Sequence, residues 1–144
     1  MNRAILDTDI LSEFLKGRNA DVERRAKAYL DKYGRFTFSV VTLFEIVRGR
    51  HKASQPEKAA EFLSWARGAD VLPIDFRCAA RAGELAGAMD RAGTTLPPPD
   101  VLIAATAMVH GLVVVTGNTN DFSRFIPLGL EIDNWRSVGG APTA

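Results

Sequence analysis

Two carboxylates separated by one residue follow the first apolar run of the chain. In the stretch ILDTDIL, Ala4 to Leu6 are apolar, Asp7 and Asp9 are acidic, and apolar side chains resume at Ile10. An apolar run of this kind predicts a buried strand, so both acids would lie at its carboxyl end. Carboxylates placed there can bind a cation or act as general acids and bases.

Three further acids occur in comparable settings. Glu45 lies in SVVTLFEIVRG, shortly after the second predicted strand, and Asp121 lies in VTGNTNDF, after the fourth. Asp100 opens a predicted helix in PPPDVLIAATA. Together with Asp7, these residues form the candidate site, provided that the helix of Asp100 begins at the same edge of the sheet.

Clustered carboxylates favour a hard cation. Carboxylates held close together repel one another and raise each other's pKa values, unless a cation neutralises them. Oxygen ligands without a Cys or His set indicate Mg²⁺ or Mn²⁺. The only cysteine, Cys78, and the two histidines have no zinc-ligand spacing, and we interpret Cys78 as a core residue and His110 as a helix-terminal residue.

Each acid also has a local structural interpretation. Asp7 or Asp9 could cap the first helix. The segment Thr42–Glu45 matches a capping box, in which the glutamate bonds back to its own helix start. Asp100 would favour the positive end of a helix macrodipole, and Asp121 could cap a short helix. Convergence of the four acids, rather than any one of them, supports the metal hypothesis.

The elements that must position these acids alternate between strands and helices. Strands are predicted at Arg3–Leu6, Phe36–Val40, Val71–Ile74, Leu112–Thr116 and Leu130–Asp133. Helices are predicted at Ser12–Lys16, Ala20–Tyr33, Thr42–Ala53, Glu57–Arg67, Phe76–Ala92 and Pro99–His110. This order predicts an α/β fold with a mainly parallel central sheet, in which ligands bind beyond the carboxyl ends of the strands.

Length and composition predict one globular domain, residues 1–138, followed by a flexible tail, 139–144. No apolar stretch approaches the ~20 residues that span a bilayer, and a single cysteine cannot form an internal disulfide, so we expect a cytoplasmic protein without membrane association. The net charge of +1 conceals basic clusters at residues 24–35 and 48–52. These clusters indicate a nucleic-acid surface, with solvated helix faces as the alternative.

The motifs described above resemble those of the PIN-domain ribonucleases, and more narrowly the VapC-type toxins of bacterial toxin–antitoxin pairs. The resemblance extends from about Ile5 to Trp135. It rests on LDTDILSEFL, VVTLFEIVRGR, DVLIAATA, and VVTGNTNDF followed by GLEIDNW, in this order and at these spacings.

The resemblance implies a three-layer α/β/α fold and a site. By motif position, the family's acidic metal-binding residues correspond to Asp7, Glu45, Asp100 and Asp121. Asp9, Thr116 and Asn118 correspond to positions that support the site. The three prolines directly before Asp100 depart from the family pattern, and we expect them to stiffen the approach to its helix.

The resemblance also implies an activity and partners. The activity is Mg²⁺- or Mn²⁺-dependent hydrolysis of RNA by an activated water, which leaves 5′-phosphate and 3′-hydroxyl ends. The implied partners are an RNA substrate, a second copy of the chain, and a VapB-type antitoxin in a hetero-oligomer. Operator DNA would be contacted only through the antitoxin.

Three alternatives remain at this point. ILDTD resembles the opening motif of haloacid-dehalogenase phosphatases, but no lysine follows Lys58 to balance their late acidic motif. A receiver domain would need the same late lysine and an aspartate that ends a middle strand. A third alternative is a non-catalytic protein that binds RNA or an antitoxin, and detectable turnover would exclude it.

Overall fold

The computed structural model of the chain describes residues 1–136. The strands are β1 Ala4–Leu6, β2 Thr37–Ser39, β3 Asp70–Leu72, β4 Val113–Val115 and β5 Ile132–Asp133. The helices are α1 Thr8–Lys16, α2 Ala20–Tyr33, α3 Val40–Lys52, α4 Pro56–Ala66, α5 Phe76–Arg91, α6 Pro98–His110 and α7 Thr119–Phe122, with a 3₁₀ helix at Ser123–Leu128. The predicted domain boundary at residue 138 and the predicted tail, 139–144, lie outside the described residues.

The five strands form one parallel sheet in the order β3-β2-β1-β4-β5. The predicted α/β fold with a mainly parallel sheet is therefore confirmed. From β1 the chain proceeds through β2 to β3 on one side, and β4 and β5 then add on the other side. The strand order thus reverses between β1 and β4, and such a switch point is where open α/β sheets bind ligands.

Alternating side chains of the strands build two separate cores, one on each face of the sheet. Ala4 and Leu6 of β1 pack into a cluster with residues of α1, α2 and α4. Ile5, between them, packs into a second cluster with residues of α5 and α6. Successive residues of a strand point to opposite faces, so a three-residue strand serves both layers. Helices on both faces explain why the neighbouring strands β1 and β4 are apolar throughout.

Two helices begin earlier than the sequence predicts, for a local reason in each case. Helix α1 begins at Thr8 rather than Ser12, because Asp7 caps it by accepting a hydrogen bond from the Thr8 amide. Helix α3 begins at Val40 rather than Thr42, because the Ser39 hydroxyl accepts from the Val41 amide. Every other predicted end lies within two residues of the observed one. Within residues 1–136, no helix is long and apolar enough to cross a membrane.

Candidate active site

Asp7 lies at the carboxyl end of β1, at the point where the strand order reverses. Its side chain is 6% exposed, and its two oxygens accept hydrogen bonds from the Thr8 amide and the Thr116 hydroxyl, each at 2.8 Å. Burial, together with the smaller effects of the Asp9 and Asp100 charges, raises the pKa of Asp7 to about 7, although the two hydrogen bonds act to lower it. Near neutral pH this carboxylate is therefore poorly compensated by the protein.

Asp100 lies in the first turn of α6, and the three prolines set its position. Pro97 precedes the helix, Pro98 is its first residue, and the Asp100 amide donates to the Pro97 carbonyl at 3.1 Å. Burial, together with the smaller effects of the Asp121, Glu45 and Asp9 charges, raises the pKa of Asp100 to about 6. The start of α6 therefore lies at the acidic edge of the sheet, as the candidate site requires.

Glu45 is held by a hydroxyl of another helix. The Thr8 hydroxyl donates to Oε1 of Glu45 at 2.6 Å and lies 3.0 Å from the hydroxyl of Thr42. The capping-box interpretation is wrong, because α3 is capped by Ser39 and Glu45 instead bonds across to α1. Thr8 is a residue that the sequence analysis missed, although its place between two aspartates was a usable signal.

Asp121, Thr116 and Asn118 form one connected segment after β4. The Thr116 hydroxyl accepts from the Asn118 amide at 2.9 Å, and the Asn118 side-chain amide donates to Asp121 at 3.0 Å. Asp121 lies inside α7, which begins at Thr119, so its interpretation as an N-cap is wrong. Through Thr116, this segment is linked to Asp7.

Asp9 faces the loop after β4 and a cation from the end of the described chain. Its Oδ2 accepts from the Gly117 amide at 3.0 Å and lies 3.5 Å from Nη1 of Arg136. The guanidinium of Arg136 also lies 3.7 Å from Glu13 and covers Gly117 so closely that a Cβ there would overlap it. No sequence pattern pointed to Arg136, since 127 positions of chain separate it from Asp9.

The structure thus brings the sequence-predicted carboxylates to one edge, where their charges raise the pKa of Asp7 and Asp100. Within residues 1–136, no three acidic, histidine or cysteine side chains converge closely enough to enclose an ion. Mg²⁺ commonly binds through one or two carboxylates and keeps several waters, so a closed cage is not required. A buried oxygen donor that repels its neighbours is chemically suited to such a cation, whereas zinc would call for Cys or His ligands.

Comparison with known proteins agrees with this architecture. The PIN domain family matches residues 4–126. The chain is 32% identical over 136 residues to the tRNA(fMet)-specific endonuclease VapC of Shigella flexneri, covering 94% of this chain and 99% of the relative.

Solved structures with the same fold include toxin–antitoxin assemblies. A chain in the crystal structure of DNA-bound VapBC from Salmonella typhimurium superposes with a TM-score of 0.80 at 32% identity, covering 94% of this chain and 99% of that one. A chain in a toxin–antitoxin complex from Klebsiella pneumoniae superposes with a TM-score of 0.61 at 30% identity, covering 83% and 90%.

Proposed function

Since the chain belongs to the PIN domain family, as a VapC-type ribonuclease toxin of a VapBC toxin–antitoxin pair, we propose that it is a divalent-metal-dependent endoribonuclease whose acidic edge cleaves RNA. The family match removes the basis for the haloacid-dehalogenase and receiver-domain alternatives. We further propose that Asp7, Glu45, Asp100 and Asp121 hold Mg²⁺ or Mn²⁺, with Asp9, Thr116 and Asn118 in support.

The observation that carries the proposal is the state of Asp7. A carboxyl group that is 6% exposed, with a pKa raised to about 7, carries an electrostatic penalty when it ionises. A structural helix cap needs neither this burial nor a raised pKa: the exposed Asp75 caps α5 with its pKa lowered by the hydrogen bond from the Cys78 amide, and Ser39 caps α3 without a charge. A divalent cation would relieve the penalty, because opposite charge favours the ionised form.

A bound Mg²⁺ or Mn²⁺ would supply positive charge for the phosphate oxygens and acidify a water molecule. The residues of the chain supply orientation. Thr116 and the Thr8 amide fix the plane of the Asp7 carboxylate, and each carboxylate oxygen keeps further lone-pair capacity for a ligand. The Thr8 hydroxyl fixes Glu45 in the same way. In the proposed reaction, water attacks phosphorus in line with the departing 3′ oxygen, which leaves 5′-phosphate and 3′-hydroxyl ends.

The test is a cleavage assay with the purified chain, free of antitoxin, and total RNA in Mn²⁺, Mg²⁺ or EDTA. An Asp7→Asn protein purified in parallel controls for contaminating nucleases. We expect discrete cuts that require the metal and disappear in the variant. Equal cleavage by both proteins would assign the activity to a contaminant, and metal-dependent binding without any cleavage would favour the non-catalytic alternative.

The RNA target is proposed from the relatives. Because the Shigella flexneri relative is a tRNA(fMet)-specific endonuclease, initiator tRNA is the first substrate to test, and elongator methionine tRNA is its matched control. Recognition of a folded RNA uses unpaired loops and shape rather than a readable duplex groove. Cuts confined to one loop of the initiator tRNA would support this target.

The partners are likewise proposed. The similar chains come from a VapBC assembly of Salmonella typhimurium and a toxin–antitoxin complex of Klebsiella pneumoniae, so we propose a VapB-type antitoxin for this chain. The Salmonella typhimurium assembly is bound to DNA, and we propose that this chain contacts operator DNA only through its antitoxin. A homodimer is proposed from the resemblance to VapC-type toxins, and the exposed side chains of Phe44 (60%) and Phe76 (89%) are available for such a contact. A cytoplasmic location completes the proposal, and the free thiol of Cys78 is compatible with it.

A further inference from the structure

A groove of about 590 Å³ runs between α1 and α3 and opens at one end onto the candidate active site. We call it the α1–α3 groove. Its inner end is formed by Thr8 and Glu45, the pair joined by a 2.6 Å hydrogen bond at the acidic edge. Any ligand in the groove therefore lies in direct continuity with the carboxylates.

The outer part of the α1–α3 groove is basic. Its lining includes Lys16, Arg18, Arg50 and Lys58, and Glu45 is the single acidic residue among the lining side chains. Within the part of the chain that the structure describes, none of these four cations forms an ion pair. The cluster at residues 24–35 differs in part: Arg24 pairs with Asp21, Arg25 lies 3.7 Å from Asp133 and bonds the Asn134 carbonyl, and Lys32 bonds the Met1 carbonyl.

The charge at helix ends explains only two of these four cations. Lys16 and Arg50 lie in the last turns of α1 and α3, where a positive charge compensates the negative end of the helix. Lys58 lies in the first turn of α4, where the helix end is itself positive, so its local placement is unfavourable. Arg18 lies in the link between α1 and α2. An anionic ligand accounts for all four together.

The length of the groove suits a short run of nucleotides. Thr8 and Lys16 are eight residues apart on α1, which is about 12 Å along the helix axis. At the ~3.4 Å axial spacing of phosphates along one strand of B-DNA, this corresponds to about three nucleotides, and a strand that is not stacked would span the groove with fewer. The scissile phosphate would lie at the acidic end, and phosphates farther along the strand would meet the cations.

We propose that the α1–α3 groove holds the RNA backbone on one side of the cleavage point, with Lys16, Arg18, Arg50 and Lys58 as its phosphate contacts. This inference rests on the proposed function. The competing occupant is an acidic peptide segment of a partner protein. RNA is favoured because the groove leads to the carboxylates that the scissile phosphate must reach. The lining of the groove is basic at its outer part and acidic at Glu45, next to the proposed cleavage site.

Gly49 makes the proposal testable without disturbing the core. It lines the groove, and a Cβ added there would meet nothing within 4 Å. The matched series is Gly49→Ala, which changes only helix propensity, Gly49→Gln, which adds bulk, and Gly49→Glu, which adds the same bulk with a negative charge. Melting temperatures of all three proteins establish that they are folded.

The measurement is fluorescence anisotropy of a labelled single-stranded RNA in EDTA, so that binding is read without cleavage. We expect Gly49→Ala to bind like the parent and Gly49→Glu to bind at least ~5-fold more weakly than Gly49→Gln. Lys16→Ser with Lys58→Ser should reduce the slope of log affinity against log salt by about 1.4, because each single-strand phosphate contact contributes ~0.7. Arg67→Ser with Arg91→Ser removes equal charge from exposed positions outside the groove and outside both basic clusters, and should leave the slope unchanged.

Equal affinities and equal slopes across these variants would overturn the groove as an RNA site. A Gly49→Glu protein that binds RNA normally but no longer binds the antitoxin would assign the groove to the peptide instead. The nuclease proposal is tested separately with the same proteins in Mn²⁺. RNA binding that depends on the groove residues, without any cleavage, would support the groove as an RNA site and exclude the nuclease activity. Cleavage that is unchanged in all groove variants would support the nuclease activity and exclude the groove as an RNA site.

Discussion

The two ends of strand β1 treat buried polar groups in opposite ways. At the amino end, the Tyr29 hydroxyl accepts from the Ala4 amide at 3.0 Å and donates to the Ala4 carbonyl at 3.2 Å. At the carboxyl end, Asp7 accepts two hydrogen bonds but ionises beside Asp9 and Asp100. Tyr29 is 1% exposed and Asp7 is 6% exposed, so burial alone does not distinguish them.

The difference separates stability from function along one strand. A neutral hydroxyl that both donates and accepts is fully satisfied, and such a group stabilises the fold. A buried carboxylate among like charges is not satisfied by the protein, and sites that depart from the rules of stability are frequently functional. At the amino end of β1 the buried polar groups are thus fully hydrogen-bonded, which stabilises the fold. At the carboxyl end negative charge remains that a ligand can neutralise.

The largest effect should come from removing a charge at the carboxyl end. Asp100→Asn should lower the rate of RNA cleavage in Mn²⁺ by a factor of about 100 or more, because a lost metal ligand removes several kcal/mol of transition-state stabilisation. The same substitution should raise the melting temperature in EDTA, because it relieves repulsion with Asp121 and Glu45. Glu57→Gln, on an exposed first turn of α4, is the control. Unchanged cleavage by the Asp100 variant would remove Asp100 from the site.

The metal-free protein should lose stability as the pH rises through the range in which Asp7 and Asp100 ionise. Asp7 and Asp100 have folded pKa values of about 7 and about 6, above the ordinary value of 3.8, so the folded state binds more protons than the unfolded state between these limits. Their stabilisation is therefore complete below pH ~4 and lost by pH ~7, with roughly 4 kcal/mol at most from Asp7.

Urea unfolding in EDTA at pH 5, 6, 7 and 8 measures this dependence, and Asp7→Asn is the control in which most of it should disappear. Added Mn²⁺ should restore stability at pH 8, since a ligand that binds only the folded state stabilises it. A stability that rises steadily from pH 5 to pH 8 in EDTA would contradict the electrostatic account of this edge.

At the amino end, Tyr29→Phe should reduce stability without reducing the chemistry. The substitution leaves the Ala4 amide and carbonyl without their hydroxyl partner, at a cost of about 1–3 kcal/mol. The rate of RNA cleavage at a temperature where the variant is folded should equal that of the parent. A cleavage rate that falls tenfold in a fully folded Tyr29→Phe protein would mean that the two ends of β1 are coupled.

The smallest effect is expected where the loop after β4 meets Arg136. Gly117→Ala introduces a Cβ that overlaps the Arg136 guanidinium and crowds the Asp9 carboxylate, and both groups end flexible side chains that can move. We expect a stability loss of about 0.5–1 kcal/mol by urea unfolding and cleavage reduced only a few-fold. Arg136→Ala in the Gly117→Ala background should remove most of the stability loss. A loss that persists in the double variant would place the strain in the backbone instead.

Local patterns in the sequence predicted the elements and the identity of the carboxylates. The apolar run at residues 112–116 and the PPPD start of the helix at Asp100 are local signals, and β4 and α6 lie within one residue of them. The early start of α1 was missed, although Asp7 is a possible cap in the sequence, because the apolar periodicity predicts a helix only from Ser12 onward; the structure confirms the Asp7 cap. The early start of α3 was missed because capping by Ser39 depends on backbone geometry, which periodicity does not reveal.

Contacts between distant segments were beyond the sequence. The Thr8 hydroxyl meets Glu45 across 37 positions, and Arg136 meets Asp9 across 127, only because parallel strands and their crossovers bring these segments to one edge. The capping-box interpretation of Thr42–Glu45 was wrong for the same reason, because Glu45 accepts its hydrogen bond from Thr8 on another helix. From the sequence alone, the basic cluster at residues 24–35 likewise could not be distinguished from the cations of the α1–α3 groove.

The sequence by itself therefore determined the order of strands and helices, the family, and which acids could form a site, because hydrophobic periodicity and short motifs are encoded along the chain. Only the tertiary structure decided how those acids are compensated. Burial, hydrogen-bond partners and mutual repulsion arise where β1 and β4 meet, and they raise the pKa of Asp7 to about 7 while leaving the tyrosine at the other end of the strand fully bonded.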